Sequence, residues 1–131
     1  MKFRPQKGPF RLSLGKRGEM AAAHYLTQNG YKILEQNYRC KIGEIDVIAL
    51  KNGRIVFIEV KTRLSSHYGL PQEAVHAVKQ QKILRAAEWY LKEKKAADRP
   101  VGFEVIAIRW HEDRDPEIRC IPNAFNVERE R

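Results

Sequence analysis

The chain has 131 residues, 43 % of them hydrophobic, which suits a single domain with one core. Lys and Arg outnumber Asp and Glu by 25 to 16, a formal charge of +9, so a polyanion such as nucleic acid is the expected partner. No apolar run approaches the roughly 18 residues of a membrane span. Residues 1–18 hold no apolar stretch of signal-peptide length, so a cytoplasmic setting with no membrane partner is expected.

Residues 1–13 carry Lys2, Arg4, Lys7 and Arg11 among Pro5, Gly8 and Pro9, and read as a flexible basic arm. A single domain is expected over 14–126, with a tail over 127–131. Leu14 to Asn29 read as a helix stopped at Gly30. Its apolar stripe includes Ala22, Ala23 and Leu26, and Glu19 falls on that stripe. Glu19 is either an inward carboxylate in search of a partner or a first-turn residue favoured by the helix dipole and facing water.

Tyr31 to Arg39 reads as a first strand. Two apolar, β-branched runs follow, Glu44 to Leu50 and Ile55 to Lys61, with Asn52-Gly53 between them as a two-residue turn. That turn sets the register: Leu50 faces Ile55, Asp46 faces Glu59 and Glu44 faces Lys61. Side chains alternate with period two, so Glu44, Asp46, Glu59 and Lys61 share one face at one end of the hairpin. Opposed residues have Cβ atoms roughly 4.5–5.5 Å apart. At such a separation and an effective dielectric near 20, two carboxylates repel by on the order of 3 kcal/mol. A divalent cation removes the repulsion, and one or two carboxylates with water and phosphate oxygens suit Mg²⁺, with Mn²⁺ as a substitute. The plainer alternative is that Lys61 neutralises Glu59 and Glu44 at solvated strand ends.

Ser65 to Leu70 reads as a loop, and Pro71 as the start of a helix. Helical spacing runs through Ala74, Val75, Val78, Ile83, Ala86, Ala87, Tyr90 and Leu91, with a break near Val78 and with Lys79, Lys82 and Arg85 beside the apolar face. Val101 to Trp110 alternates as a strand, and Ile118 to Pro122 as a short edge strand. The order αβββαββ gives an α/β fold, a mixed β-sheet flanked by helices. Cys40 and Cys120 form no Cys-x-x-Cys pattern and read as reduced thiols. His24, His67, His76 and His111 lack metal-ligand spacing, and His67, in the loop after Lys61, either approaches substrate or is only solvated.

Gly18-Glu19, Asn29-Gly30-Tyr31, Gly43-Glu44-Ile45-Asp46 and Val56-Phe57-Ile58-Glu59-Val60-Lys61-Thr62-Arg63 resemble the YraN family. The resemblance continues through Tyr68-Gly69, Glu73-Ala74-Val75, Lys79, Lys82 and Asn123-Ala124-Phe125, covering nearly the whole chain. It implies the restriction-endonuclease-like fold, similar to archaeal Holliday-junction resolvases. In nucleases of that fold a helix Glu, a strand Asp and a Glu-x-Lys form the active site, and by resemblance Glu19, Asp46, Glu59 and Lys61 take those places. Where the family often has Arg-Phe-Asp, this chain has Gly102-Phe103-Glu104, and Glu104 is left outside the core site.

These readings imply a Mg²⁺-dependent endonuclease acting on DNA, structure-selective for branched or junction DNA, in repair or recombination. Asp46 and Glu59 would hold the metal, with the Val60 carbonyl as a further ligand. Lys61 would orient water or stabilise charge on the phosphate. Glu19 would hold water or a second ion, and Glu44 would pair with Lys61 or support the site from outside. Lys79 and Lys82 would bind the substrate backbone. A homodimer would suit two-strand cleavage. The alternative from another class is a nucleic-acid-binding module that retains the fold without turnover. A protein scaffold whose hairpin charges form a structural network is the third.

Overall fold

The computed structural model describes residues 12–65 and 77–122. The elements follow in the order α1 (Leu14–Gln28), β1 (Lys32–Arg39), β2 (Glu44–Lys51), β3 (Arg54–Leu64), α2 (Ala77–Glu93), β4 (Val101–Trp110) and β5 (Glu117–Ile121). This αβββαββ order is an α/β fold consistent with the restriction-endonuclease-like architecture. One five-stranded sheet has the strands in sequence order, antiparallel except for the parallel pair β3–β4 that α2 connects. The expected residues of the arm up to Arg11, the loop carrying His67 and Tyr68-Gly69, the segment Pro71 to His76, and Asn123 to the C-terminus lie outside the described residues.

Local chemistry explains the ends of α1 and the β2–β3 turn. Ser13, expected as the end of the arm, caps α1 instead: its hydroxyl accepts the Lys16 N–H at 3.1 Å. At the other end Gly30 takes φ 85°. That left-handed residue lets Gly30 N–H reach Thr27 O at 3.3 Å and Tyr31 N–H reach Leu26 O at 3.0 Å, closing the helix. Lys51 adds its ammonium to the Asn29 carbonyl and lies 4.9 Å above the Tyr31 ring. Asn52 and Gly53 take φ 51° and 77°, the paired positive values that a type I′ hairpin turn requires.

The sheet buries both faces. On one side α2 sets Ile83, Ala86, Ala87 and Tyr90 against Ile48, Ile55, Phe57 and Val105. The Tyr90 ring meets Phe57 and Tyr38 edge-on at 6.0 and 5.2 Å. On the other side α1 sets Ala21, Ala22 and Leu26 against Val47, Ala49, Val56, Ile58 and Ile106. The expected stripe is thus corrected by one position: Ala21 is buried, whereas Ala23 is only partly so. Gly18 is where α1 comes closest. A Cβ there would sit 1.8 Å from Thr62 Oγ1, so only glycine permits this approach of the helix to β3.

Candidate active site

The hairpin register holds from the turn to Val47↔Ile58 and there stops. Alternation also breaks at that point. Val47 packs on the α1 side, yet Ile45 packs on the α2 side with Ile48. On β1 the pairing gives Gln36↔Val47 and Tyr38↔Ile45, so Asn37, with φ 54°, lies beside Asp46 where the faces switch. The break frees the β3 backbone for a side chain. Along β3 the N–H of every even residue points toward β2. A continued ladder would therefore aim Val60 N–H at the β2 main chain. Instead it donates to Asp46 Oδ2 at 2.8 Å. The Val60 carbonyl leaves the strand on the same side and opens onto the same gap.

Asp46 and Glu59 come together as the register requires, although no ladder bond joins their positions. The Asp46 carboxyl is pushed up to about 7, first by burial and next by the charge of Glu59. The Val60 N–H and the Lys79 ammonium act in the opposite sense. Glu59 is only 5 % exposed, and its Oε1 contacts Lys79 Nζ from the first turns of α2. Lys79, expected to reach nucleic acid, is therefore engaged with a site carboxylate. Lys82 is exposed on the next turn, and its stem lies against Gly43.

Glu44 departs from the expected arrangement. With the ladder ended, it no longer faces Lys61, and it pairs with Arg39 of β1 at 3.3 Å. Glu19 is 27 % exposed and pairs with Lys16 one turn earlier, at 3.5 Å. Glu19, Glu44 and Asp46 nonetheless line one open cavity of about 490 Å³, together with Ser13, Gly15, Lys16, Asn37 and Arg39. Lys61 and Glu59 project from β3 on the α2 face, so Asp46 stands between the cavity and that face. Among the described residues, no group of three or more His, Cys, Asp or Glu side chains is placed to hold a metal ion. The pairing of Lys16 with Glu19 and of Arg39 with Glu44 escaped the sequence reading. The i,i+3 spacing of Lys16 and Glu19 was available as a signal; the cross-strand pairing of Arg39 depends on the bulge at Leu34 and was not.

Glu104, left aside in the sequence reading, has a separate place. It lies on the α1 face, where it accepts the Tyr31 hydroxyl at 2.7 Å and the Cys120 thiol at 3.5 Å. Burial, and then its bond to Glu104, raises the Tyr31 phenol well above its ordinary value. The Cys120 thiol is pushed up to about 11, chiefly by burial and the Glu104 charge. A thiol held protonated in this way is a poor nucleophile. Among the described residues, no helix is long and apolar enough to cross a membrane.

The model of the family described as "Uncharacterised protein family UPF0102" matches residues 18–108, which span α1 to β4. A UPF0102 protein of Syntrophotalea carbinolica is 48 % identical over 118 residues, covering 90 % of this chain and 95 % of that protein. One from Geobacter metallireducens is 48 % identical, covering 88 % of this chain and 93 % of its own. One from Caldanaerobacter subterraneus subsp. tengcongensis is 50 % identical, covering 86 % and 94 %.

Proposed function

Because this chain belongs to the uncharacterised family UPF0102, which is the YraN family, its activity must be read from its own residues, and we propose a Mg²⁺-dependent endonuclease acting on DNA. The observation that carries the reading is the adjacency of Asp46 and Glu59, with Lys61 two residues beyond Glu59 on the same face. Two neighbouring carboxylates, one with its proton affinity raised by burial and then by the other's charge, form a hard-oxygen donor set. Mg²⁺ keeps several waters and needs only one or two such groups, so the residues present fit it.

Asp46, Glu59 and the Val60 carbonyl would hold the ion. When bound, it supplies charge stabilisation at phosphorus and acidifies water. The chain's own groups do the rest. Asp46 is fixed by its bond to Val60 N–H, which holds the carboxyl beside Glu59 without the entropy cost of a loose side chain. Lys61 carries a cation to the oxygens of a phosphodiester, or orients the attacking water. Glu19 accepts a hydrogen bond from water in the cavity. Glu44, tied to Arg39, bounds that cavity from the β1 side. Branched substrates in repair or recombination are the part of the proposal that rests on resemblance alone.

One observation favours a second reading, a nucleic-acid-binding module without turnover. The Lys79 ammonium already neutralises Glu59, so this fold can satisfy its buried carboxylate without metal. The two readings separate in a cleavage assay on labelled junctions, flaps and single strands with Mg²⁺ or Mn²⁺. The wild type is expected to cut at least one of these, and Asp46→Asn none. Binding without cutting in every case selects the second reading.

A further inference from the structure

Beyond Glu59 the α2 face of the sheet changes character row by row. The parallel β3–β4 register and the antiparallel β4–β5 register place Glu59, Val105 and Ile121 in one row. The next row holds Lys61, Ala107 and Arg119, and the one after it Arg63, Arg109 and Glu117. Lys61, Arg63 and Arg109 are partly exposed, and Arg119 is exposed. Four cations thus stand in two adjacent rows across three strands, continuous with the candidate catalytic carboxylate.

This arrangement is costly in the free protein. Arg63 lies directly opposite Arg109, and like charges so placed repel. Among the described residues, buried Arg63 Nε has no hydrogen-bond partner. The one carboxylate in these two rows, Glu117, is shared with His111, whose Nε2 lies 2.7 Å from Glu117 Oε2. Strands lie about 4.8 Å apart and alternate residues about 6.8 Å apart along a strand. The cluster therefore forms a patch of about 7 by 10 Å, wide enough for neighbouring phosphates of one strand. An array of guanidinium groups suits phosphate because each presents a planar fork of donors.

We propose that Arg63, Arg109 and Arg119 form a phosphate platform that carries the DNA backbone from the β5 edge to Lys61 and Glu59. The proposal rests on the reading of the chain as a DNA-cutting protein, but it concerns binding and is testable without turnover. The substrate then runs across the sheet on the α2 face, and the cavity by Glu19 serves water and not the DNA strand.

The test uses the full chain in EDTA. Binding of a fluorescein-labelled duplex and a four-way junction is followed by anisotropy from 50 to 200 mM salt. Arg63→Gln, Arg109→Gln and Arg119→Gln are compared singly and together, with Arg63→Lys as the charge-retaining variant. Lys92→Gln, Lys94→Gln and Lys95→Gln together, at the far end of α2, are the control. Each platform substitution is expected to lower the slope of log affinity against log salt by about 0.9, and the triple by about 2.7. Arg63→Lys should keep the slope, and the control triple should leave it within half a unit. An unchanged slope in the platform triple overturns the proposal. So does an equal loss in the control, or a wild type that binds neither DNA. The nuclease reading fails separately, if wild type binds with the platform dependence just described yet cuts nothing with Mg²⁺.

Discussion

The proton on Asp46 gives the structure a measurable pH signature. In the unfolded chain this carboxyl titrates at its ordinary value of 3.8; in the fold it is pushed up to about 7, by burial and by Glu59. The fold therefore binds a proton more tightly than the unfolded chain does. Its contribution to stability is fully present below the unfolded value and is lost as pH rises through the folded one. About three pH units at about 1.4 kcal/mol each give an upper limit of about 4 kcal/mol. Partial solvation of the site lowers the working figure to about 2–4 kcal/mol. Asp46→Asn cannot ionise, yet keeps an oxygen that can accept the Val60 N–H. Without metal, the variant should thus be more stable than wild type by that amount at about pH 8.5, and by almost nothing near pH 4. Urea unfolding followed by the fluorescence of buried Trp110, repeated across this range in EDTA, gives the difference directly. Other carboxyls titrate in both proteins and cancel. If the stability difference does not widen between about pH 5 and 8, Asp46 is not the strained carboxyl described here.

The other predictions address neighbouring contacts. Lys79→Ala leaves Glu59 buried without its cation and should cost about 1–3 kcal/mol without metal, less than a fully buried pair because Lys79 is 45 % exposed. The same variant should gain more in melting temperature from added Mg²⁺ than wild type does, since Mg²⁺ no longer competes with the ammonium; an equal gain would show that Lys79 and metal do not share Glu59. Gly18→Ala should destabilise by at least about 1–3 kcal/mol through overpacking, even though alanine favours a helix. Thr62→Ala should restore only part of it, because Thr62 Cβ itself would lie 2.8 Å from the new methyl group. Glu104→Ala should cost about 1–3 kcal/mol by leaving the Tyr31 hydroxyl only the weak contact with Cys120 Sγ at 4.0 Å, and Tyr31→Phe in the same chain should recover most of it; both are checked by thermal melting. Lys61→Ala should abolish cleavage and keep most DNA affinity, read by anisotropy, since the wider basic surface supplies the electrostatic attraction.

The hairpin could be read from the sequence because its determinants are local. Asn52-Gly53 selects one turn type, and the turn fixes who faces whom for several residues. The same reasoning brought Asp46 to Glu59. It failed one step further, at Glu44, because the ladder ends where a side chain, Asp46, takes the Val60 N–H. Such a substitution of side chain for main chain leaves no trace in a hydrophobic pattern. Strand β4 was legible from its alternation, whereas its parallel pairing with β3 was not. The row joining Lys61 to Arg119, and Arg63 to Arg109, depends on a parallel crossover through α2, whose register is tertiary information. Lys79 was read as a contact to the substrate backbone beside the apolar face of its helix; its engagement with Glu59 depends on how α2 lies on the sheet. The burial of Ala21 in place of Ala23 has the same origin: the approach at Gly18 rotates α1 toward β3.

The central claim is that Asp46 and Glu59 together form a divalent-cation site. Titration calorimetry with Mn²⁺, on wild type and Asp46→Asn at about pH 8, tests it most directly, because that pH lies above the folded titration of Asp46. One saturable site is expected in wild type, lost or weakened at least tenfold in Asp46→Asn. Equal heats and equal affinity in the two proteins would contradict it.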